Sequence, residues 1–214
     1  MSTETMRRDS AIVLAGGQSR RLGRDKRRLR LWGEGGPTLL ERTVATVGAL
    51  CPDVVVVLND PEGWLGLPGR IVPDQYPDGG ALGGIYSGLT AAAGEYALVV
   101  ACDMPLLSQP LLAAMLARPR DYDVLAPRSL SPGATRNSLD LETLHAIYGK
   151  GCLGPMREAL ERGRRQIASF FPQVRVAVFE PEETRAHDPE GHSFLNINTV
   201  EQMERALAAL RGGA

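Results

Sequence analysis

The sequence predicts an α/β protein, a three-layer α/β/α sandwich built on a mainly parallel sheet. Two observations carry this expectation. Short apolar runs without polar alternation (AIVLA at 11–15, VVVVL at 54–58, YALVVA at 96–101) mark strands covered on both faces. Segments of helical periodicity separate them, so successive strands are joined by right-handed crossovers and run parallel. No internal repeat or composition break divides the 214 residues, and a single domain over 1–214 is expected.

Each element has a local reason. Residues 11–15 form the first strand, and a glycine-rich loop follows it. Thr38-Leu-Leu-Glu41 is a capping box that opens a helix with Leu40, Val44 and Val47 on one face. The strand at 54–58 is stopped by Asn59-Asp60-Pro61. A helix over 85–93 precedes the strand at 96–101; a helix over 110–116 and a strand over 122–126 come next. Residues 127–138 read as a loop from their Pro, Gly, Ser and Asn content. Beyond it, the pattern predicts strands at 144–148, 174–179 and 194–197, with helices at 154–162 and 200–210.

Composition excludes several classes. A net charge of -1 rules out a general polyanion binder, so basic chemistry must be local. Cys51, Cys102 and Cys152 form no CxxC pair, which argues for a reducing compartment and against a disulfide framework or a cysteine zinc site. The polar start MSTETMRRDS leads straight into a predicted strand, so no signal peptide is expected, and no apolar run approaches membrane-span length. The expected location is cytoplasmic, with no membrane partner.

The loop LAGGQSRRLGRDK at 14–26 lies beyond the carboxyl end of the first strand, where open α/β sheets gather ligands. Adjacent glycines expose backbone N–H groups to phosphate oxygens, and Arg20, Arg21 and Lys26 add charge. The spacing is neither a Walker A loop nor a GxGxxG fingerprint. The residues alone also fit a glycine turn with a solvated basic face. A nucleic-acid site lacks an aromatic platform or a binding motif, so no nucleic acid is expected.

This loop resembles the opening motif LAGGxSxRxGxDK of the molybdenum cofactor guanylyltransferase family, within the nucleotidyltransferases of Rossmann-like fold, and matches every fixed position. Pro73-Asp74 with Gly80-Ala-Leu-Gly-Gly-Ile85 is similar to the family's aspartate and GPLxGI segment. Ala101-Cys-Asp103-Met-Pro105 is similar to its metal-binding CDxP, residues 141–148 to its EPLxAxY, and Leu195-Asn-Ile-Asn-Thr199 to its NxNT. Ala81 and Thr143 stand where the family has proline, and Arg27 and Arg28 stand where smaller or apolar residues are common.

The resemblance implies transfer of GMP from GTP to the terminal phosphate of molybdenum-molybdopterin, with release of pyrophosphate and Mg²⁺ as cofactor. The N-terminal part then binds nucleotide and the C-terminal part the pterin. It implies catalytic roles for Lys26, Asp103 and Arg21, and nucleotide contacts from Leu14, Ala15, Gly16, Gly17, Lys26, Asn59, Asp74 and Asp103. Asp103 becomes the metal ligand, and Asn196 and Asn198, placed on one face of a strand, become phosphate or metal contacts. Molybdoenzymes or their chaperones are further expected partners. Gly16 in LAGG, where cytidylyl-transferring relatives resemble LAAG, points to guanine. A transferase using CTP or another phosphorylated acceptor, or a nucleotide-binding adaptor without turnover, are the alternatives. His145, on an apolar run, reads as a satisfied sheet residue rather than a base.

Overall fold

The computed structural model describes residues 9–16, 25–131 and 139–212. Seven strands form one sheet: β1 (Ser10–Leu14), β2 (Asp53–Val57), β3 (Arg70–Val72), β4 (Tyr96–Ala101), β5 (Val124–Pro127), β6 (His145–Gly149) and β7 (Val176–Phe179). Their spatial order is β3-β2-β1-β4-β6-β5-β7. The described residues include six α-helices: α1 (Leu39–Gly48), α2 (Gly80–Ala91), α3 (Gln109–Ala117), α4 (Leu153–Glu161), α5 (Pro181–His187) and α6 (Val200–Gly212).

Alternate residues of each buried strand serve opposite faces of the sheet. Ala11 and Val13, Val54 and Val56, and Leu98 and Val100 pack with Leu40, Val44 and Val47 of α1 and Leu111 and Met115 of α3. Ile12, Val55, Val57 and Val99 pack with Leu82, Ile85 and Leu89 of α2 and Met156 and Leu160 of α4. The three-layer sandwich follows from strands that have no polar face. At α1 the expected capping box is present: Thr38 N donates to Glu41 Oε2 at 2.7 Å, and Glu41 N donates to Thr38 Oγ1 at 3.2 Å.

Several expectations need correction. The sheet is mainly parallel, as expected, but β6 departs from that direction and runs antiparallel to both β4 and β5. Because Val100 pairs with His145, this reversal brings residues 142–144, which enter β6, to the carboxyl edge of β4. Residues 194–197 form no strand. Phe194 ends a 3₁₀ turn, and Ile197 N donates to the Asp103 carbonyl at 2.9 Å, so an extended segment is tied to a loop rather than to a ladder. Pro127 belongs to β5 rather than to a loop, while residues 132–138 of the expected loop lie outside the described residues. β3 and α5 were not expected. No helix among the described residues is long and apolar enough to cross a membrane.

His145 also departs from expectation. It is fully buried in β6, edge-on to Phe194 at 5.1 Å between ring centroids. Among the described residues, neither of its ring nitrogens has a hydrogen-bond partner. Burial lowers its pKa from 6.5 to about 4, a shift only partly opposed by its own backbone and, less, by the Asp188 carboxylate. The native state therefore binds fewer protons than the unfolded chain between these values, and stability is lost as pH falls from 6.5 towards 4. Urea titrations should show a loss of about 3 kcal/mol across that window, largely removed in His145→Leu. An equally steep loss in the variant would assign the proton uptake elsewhere.

Candidate active site

The strand order reverses direction of growth at β1, whose neighbours are β2 and β4, and the crevice beyond their carboxyl ends is the expected ligand site. A cavity of about 300 Å³ lies there, lined by Leu14, Gly16, Lys26, Asn59, Asp74 and Asp103 among others. Ladder bonds fix its floor: Ala15 N donates to Val57 O and Cys102 N to Leu14 O, each at 3.0 Å. Of the residues expected to bind nucleotide, the sheet edge brings these six to one cavity. Ala15 is buried and does not line it, and Gly17 and Arg21 lie outside the described residues.

At one end of the cavity Lys26 Nζ donates to Asp103 Oδ2 at 2.6 Å and to Asn198 Oδ1 at 3.0 Å. The lysine and aspartate side chains are both largely shielded from solvent, so their attraction is stronger than that of an exposed pair. Asp103 sits two residues past β4 in a turn closed by Met104 N to Ala101 O. At the other end Asn59 Oδ1 accepts from Asp74 N at 2.8 Å, and Asp74 Oδ1 accepts from Tyr76 N at 2.9 Å and Ser87 Oγ at 3.0 Å.

The glycines of α2 make this end possible. A Cβ on Gly83 would stand 2.4 Å from the Tyr76 carbonyl oxygen and 3.2 Å from Asp74 Oδ1. Only a residue without Cβ lets the helix approach the Asp74 turn so closely. Gly83→Ala should destabilise the protein by about 1–3 kcal/mol, as overpacking does, and should displace Asp74. Thermal unfolding and nucleotide titration check both effects; an unchanged Tm would mean the turn yields without cost.

A second, wider cavity of about 870 Å³ adjoins the first and shares Ala81, Asp103 and Leu144 with it. Its wall includes Glu142, Thr143, Arg165, Gln166, Asn196 and Asn198. The two asparagines thus share one cavity although their segment is not a strand. Asn196 Nδ2 donates to Phe194 O at 3.2 Å, while Asn198 turns its amide oxygen to Lys26. Burial raises the Glu142 carboxyl above the usual carboxylate range, against the hydrogen bond from Ser129. Glu142 lies in the segment matched to EPLxAxY but was given no role of its own, and Arg165 and Gln166 were not singled out from the sequence. The antiparallel entry into β6 and the turn after α4, which bring them here, leave no periodic signal.

Chemically, the arrangement offers positioning and charge rather than a protein nucleophile. Cys102 lines the first cavity, but burial pushes its thiol up to about 12 and keeps it neutral. Two oxygen acceptors, Asp103 Oδ2 and Asn198 Oδ1, converge on one ammonium group, so this point already holds a cation. No group of three His, Cys, Asp or Glu side chains forms a metal cage among the described residues. One carboxylate plus an amide oxygen fits magnesium, which takes few protein ligands and fills its shell with phosphates and water.

The MobA-like NTP transferase domain model matches residues 11–177. A probable molybdenum cofactor guanylyltransferase of Chloroflexus aggregans is 44% identical over 202 residues, covering 94% of each chain. A molybdenum cofactor guanylyltransferase of Desulfosudis oleivorans is 35% identical over 95% of this chain and 96% of its own. The crystal structure of molybdopterin-guanine dinucleotide biosynthesis protein A from Archaeoglobus fulgidus superposes with a TM-score of 0.78. It is 25% identical, and the match covers 95% of this chain and 99% of that one. With two cavities meeting at a Lys–Asp pair beyond β1 and β4, the chain is a nucleotidyltransferase and belongs to the molybdenum cofactor guanylyltransferases of the MobA-like NTP transferase family.

Proposed function

We propose that this enzyme transfers GMP from GTP to the terminal phosphate of molybdenum-molybdopterin, with magnesium bound at Asp103. One observation carries the reading: the cavity beyond β1 and the wider one meet at Asp103, beside Lys26. An acceptor phosphate oxygen attacks the α-phosphorus, a P–O bond forms, and the bond to the bridging oxygen breaks so that pyrophosphate leaves. Both reactants are anions, so binding them in line and offsetting their charge supplies most of the acceleration. Magnesium supplies charge stabilisation to the phosphate oxygens when bound.

The chain's own residues do the rest. Lys26 moves its ammonium from Asp103 to the phosphates as they enter, leaving the carboxylate and Asn198 to hold the metal. Asn59 and Asp74 contact the nucleoside end. Arg165 faces the phosphate of the acceptor in the wider cavity, with Asn196 on the same wall. The motif match assigns Gly16, Gly17 and Arg21 to the phosphates, with Gly17 and Arg21 outside the described residues. Three buried free thiols suit a reducing cytoplasm, from which the product passes to molybdoenzymes or their chaperones.

Guanine selection rests on Gly16, which lines the first cavity. A methyl group added to its Cα would meet nothing within 4 Å among the described residues. Gly16→Ala should therefore fold normally, and any change in base use reports contact with the ligand. Competition between GTP and CTP should give GTP the higher kcat/KM, because a site that pairs a purine edge leaves its polar groups unmatched on the wrong base. Gly16→Ala should lower GTP use selectively. A higher kcat/KM for CTP, or an unaltered preference in the variant, contradicts the base assignment.

A further inference from the structure

Arg27 lines neither cavity, yet it is among the most thoroughly engaged side chains near the site. Its Nη1 and Nη2 donate to the two Asp60 carboxylate oxygens, both at 2.6 Å. Nε and Nη2 donate to the two Asp25 oxygens, both at 2.9 Å, and Nη1 also reaches the Ala15 carbonyl at 3.4 Å. The side chain is 13% exposed, and its guanidinium lies 5.7 Å from the ring centroid of buried Trp64, which Arg28 also covers at 4.7 Å. Such a fork engages both carboxylates with paired donors, a geometry that lysine cannot reproduce.

The three segments it joins each carry or adjoin residues that line the nucleotide cavity: Gly16, Lys26 and Asn59. Ala15 continues β1 into the glycine loop. Asp25 precedes Lys26 and caps its 3₁₀ turn by accepting from Arg27 N at 3.0 Å. Asp60 follows Asn59, which is held to Asp74. The hydrogen bonds of Arg27 hold the Asp60 carboxyl below the usual range and, against partial burial, that of Asp25 as well. A single exposed ion pair would stabilise little, but a bidentate network across three segments is the case in which such pairs matter.

We propose that Arg27 is a positioning residue that latches the Lys26 end of the nucleotide cavity to its Asn59 end, through the carboxylates of Asp25 and Asp60. The proposal rests on the reading of that cavity as the GTP site. Without the latch, the two ends of the triphosphate nucleotide meet partners that are no longer held at a fixed separation.

Steady-state kinetics of Arg27→Ala, Asp60→Ala and the double variant test this. Each single variant should raise the KM for GTP about tenfold, the scale of one charge-assisted contact, and leave the KM for molybdopterin within about twofold. The double variant should be no worse than the poorer single, because both changes open one bridge. Arg27→Lys should recover less than half of the loss. An unchanged KM for GTP, losses that add in the double variant, or equal losses for both substrates with a lowered Tm would overturn the latch. If Arg27→Ala fails to fold, Asp60→Ala and Asp60→Asn, at an exposed carboxylate, interrogate the same bridge. A wild-type enzyme that uses CTP in place of GTP contradicts the proposed function instead, and the same comparison of KM on CTP then decides the latch.

Discussion

Asp103→Ala is expected to lower magnesium-dependent turnover by about 10³-fold, the consequence of losing several kcal/mol of charge stabilisation at the reacting phosphates. The fold should survive. Asp103 lies past the end of β4, and the backbone there is held by Ile197 N to Asp103 O and Met104 N to Ala101 O, neither of which needs the carboxylate. The variant removes the ion pair to Lys26 and leaves that ammonium with Asn198 and the incoming phosphates. Single-turnover assays over a magnesium titration read the effect. Turnover close to that of the wild type, with the same magnesium dependence, would remove Asp103 from the metal site.

Lys26→Ala should weaken GTP binding or turnover about ten- to hundredfold, as expected for one charge-assisted contact to phosphate. The ammonium is a compact charge on a flexible stem, so it can follow the phosphates as they enter. It sits among oxygen acceptors, at the point where the two cavities join. Its loss should also flatten the salt dependence of GTP affinity, because one cation fewer attracts the triphosphate. Calorimetric titrations at several ionic strengths measure both. An affinity and a salt slope equal to those of the wild type would leave the lysine without a role in binding.

The sequence was most informative where local chemistry dictates structure. Uniformly apolar runs announce β1, β2 and β4, because strands covered on both faces have no polar side to show. Thr38 and Glu41 announce α1 because their side chains satisfy its first N–H groups. Asn59 and Asp103 each follow a strand that an apolar run announces, parallel strands place such ends along one edge, and Asp74 joins them after the short β3. Their meeting in one cavity follows from that edge alone.

Other features were set by tertiary contacts. β3 has three residues and pairs only with β2, too short a run for alternation to register. The direction of β6 depends on pairing with β4 and β5, which residues 145–149 do not encode, yet this reversal brings Glu142 and Thr143 to the second cavity. Asn196 and Asn198 reach the site through an extended segment tied to Asp103, not through strand periodicity. His145 looked like an ordinary sheet residue, and nothing in LHAIY reports that its ring nitrogens find no partner among the described residues. The latch on Arg27 needs Asp25, Asp60 and Trp64 from separate stretches of chain, and a run of basic residues in sequence reads as a solvated face.

If GTP and a molybdopterin phosphate react across the junction at Asp103, pyrophosphate release tests it most directly. The purified enzyme is given GTP and magnesium, with and without molybdenum-molybdopterin. Release is predicted only when the acceptor is present, in equal amount to the guanine dinucleotide formed, and with little release when CTP replaces GTP. GTP bound without release in the presence of the acceptor, or release supported by a sugar phosphate and not by molybdopterin, would contradict it.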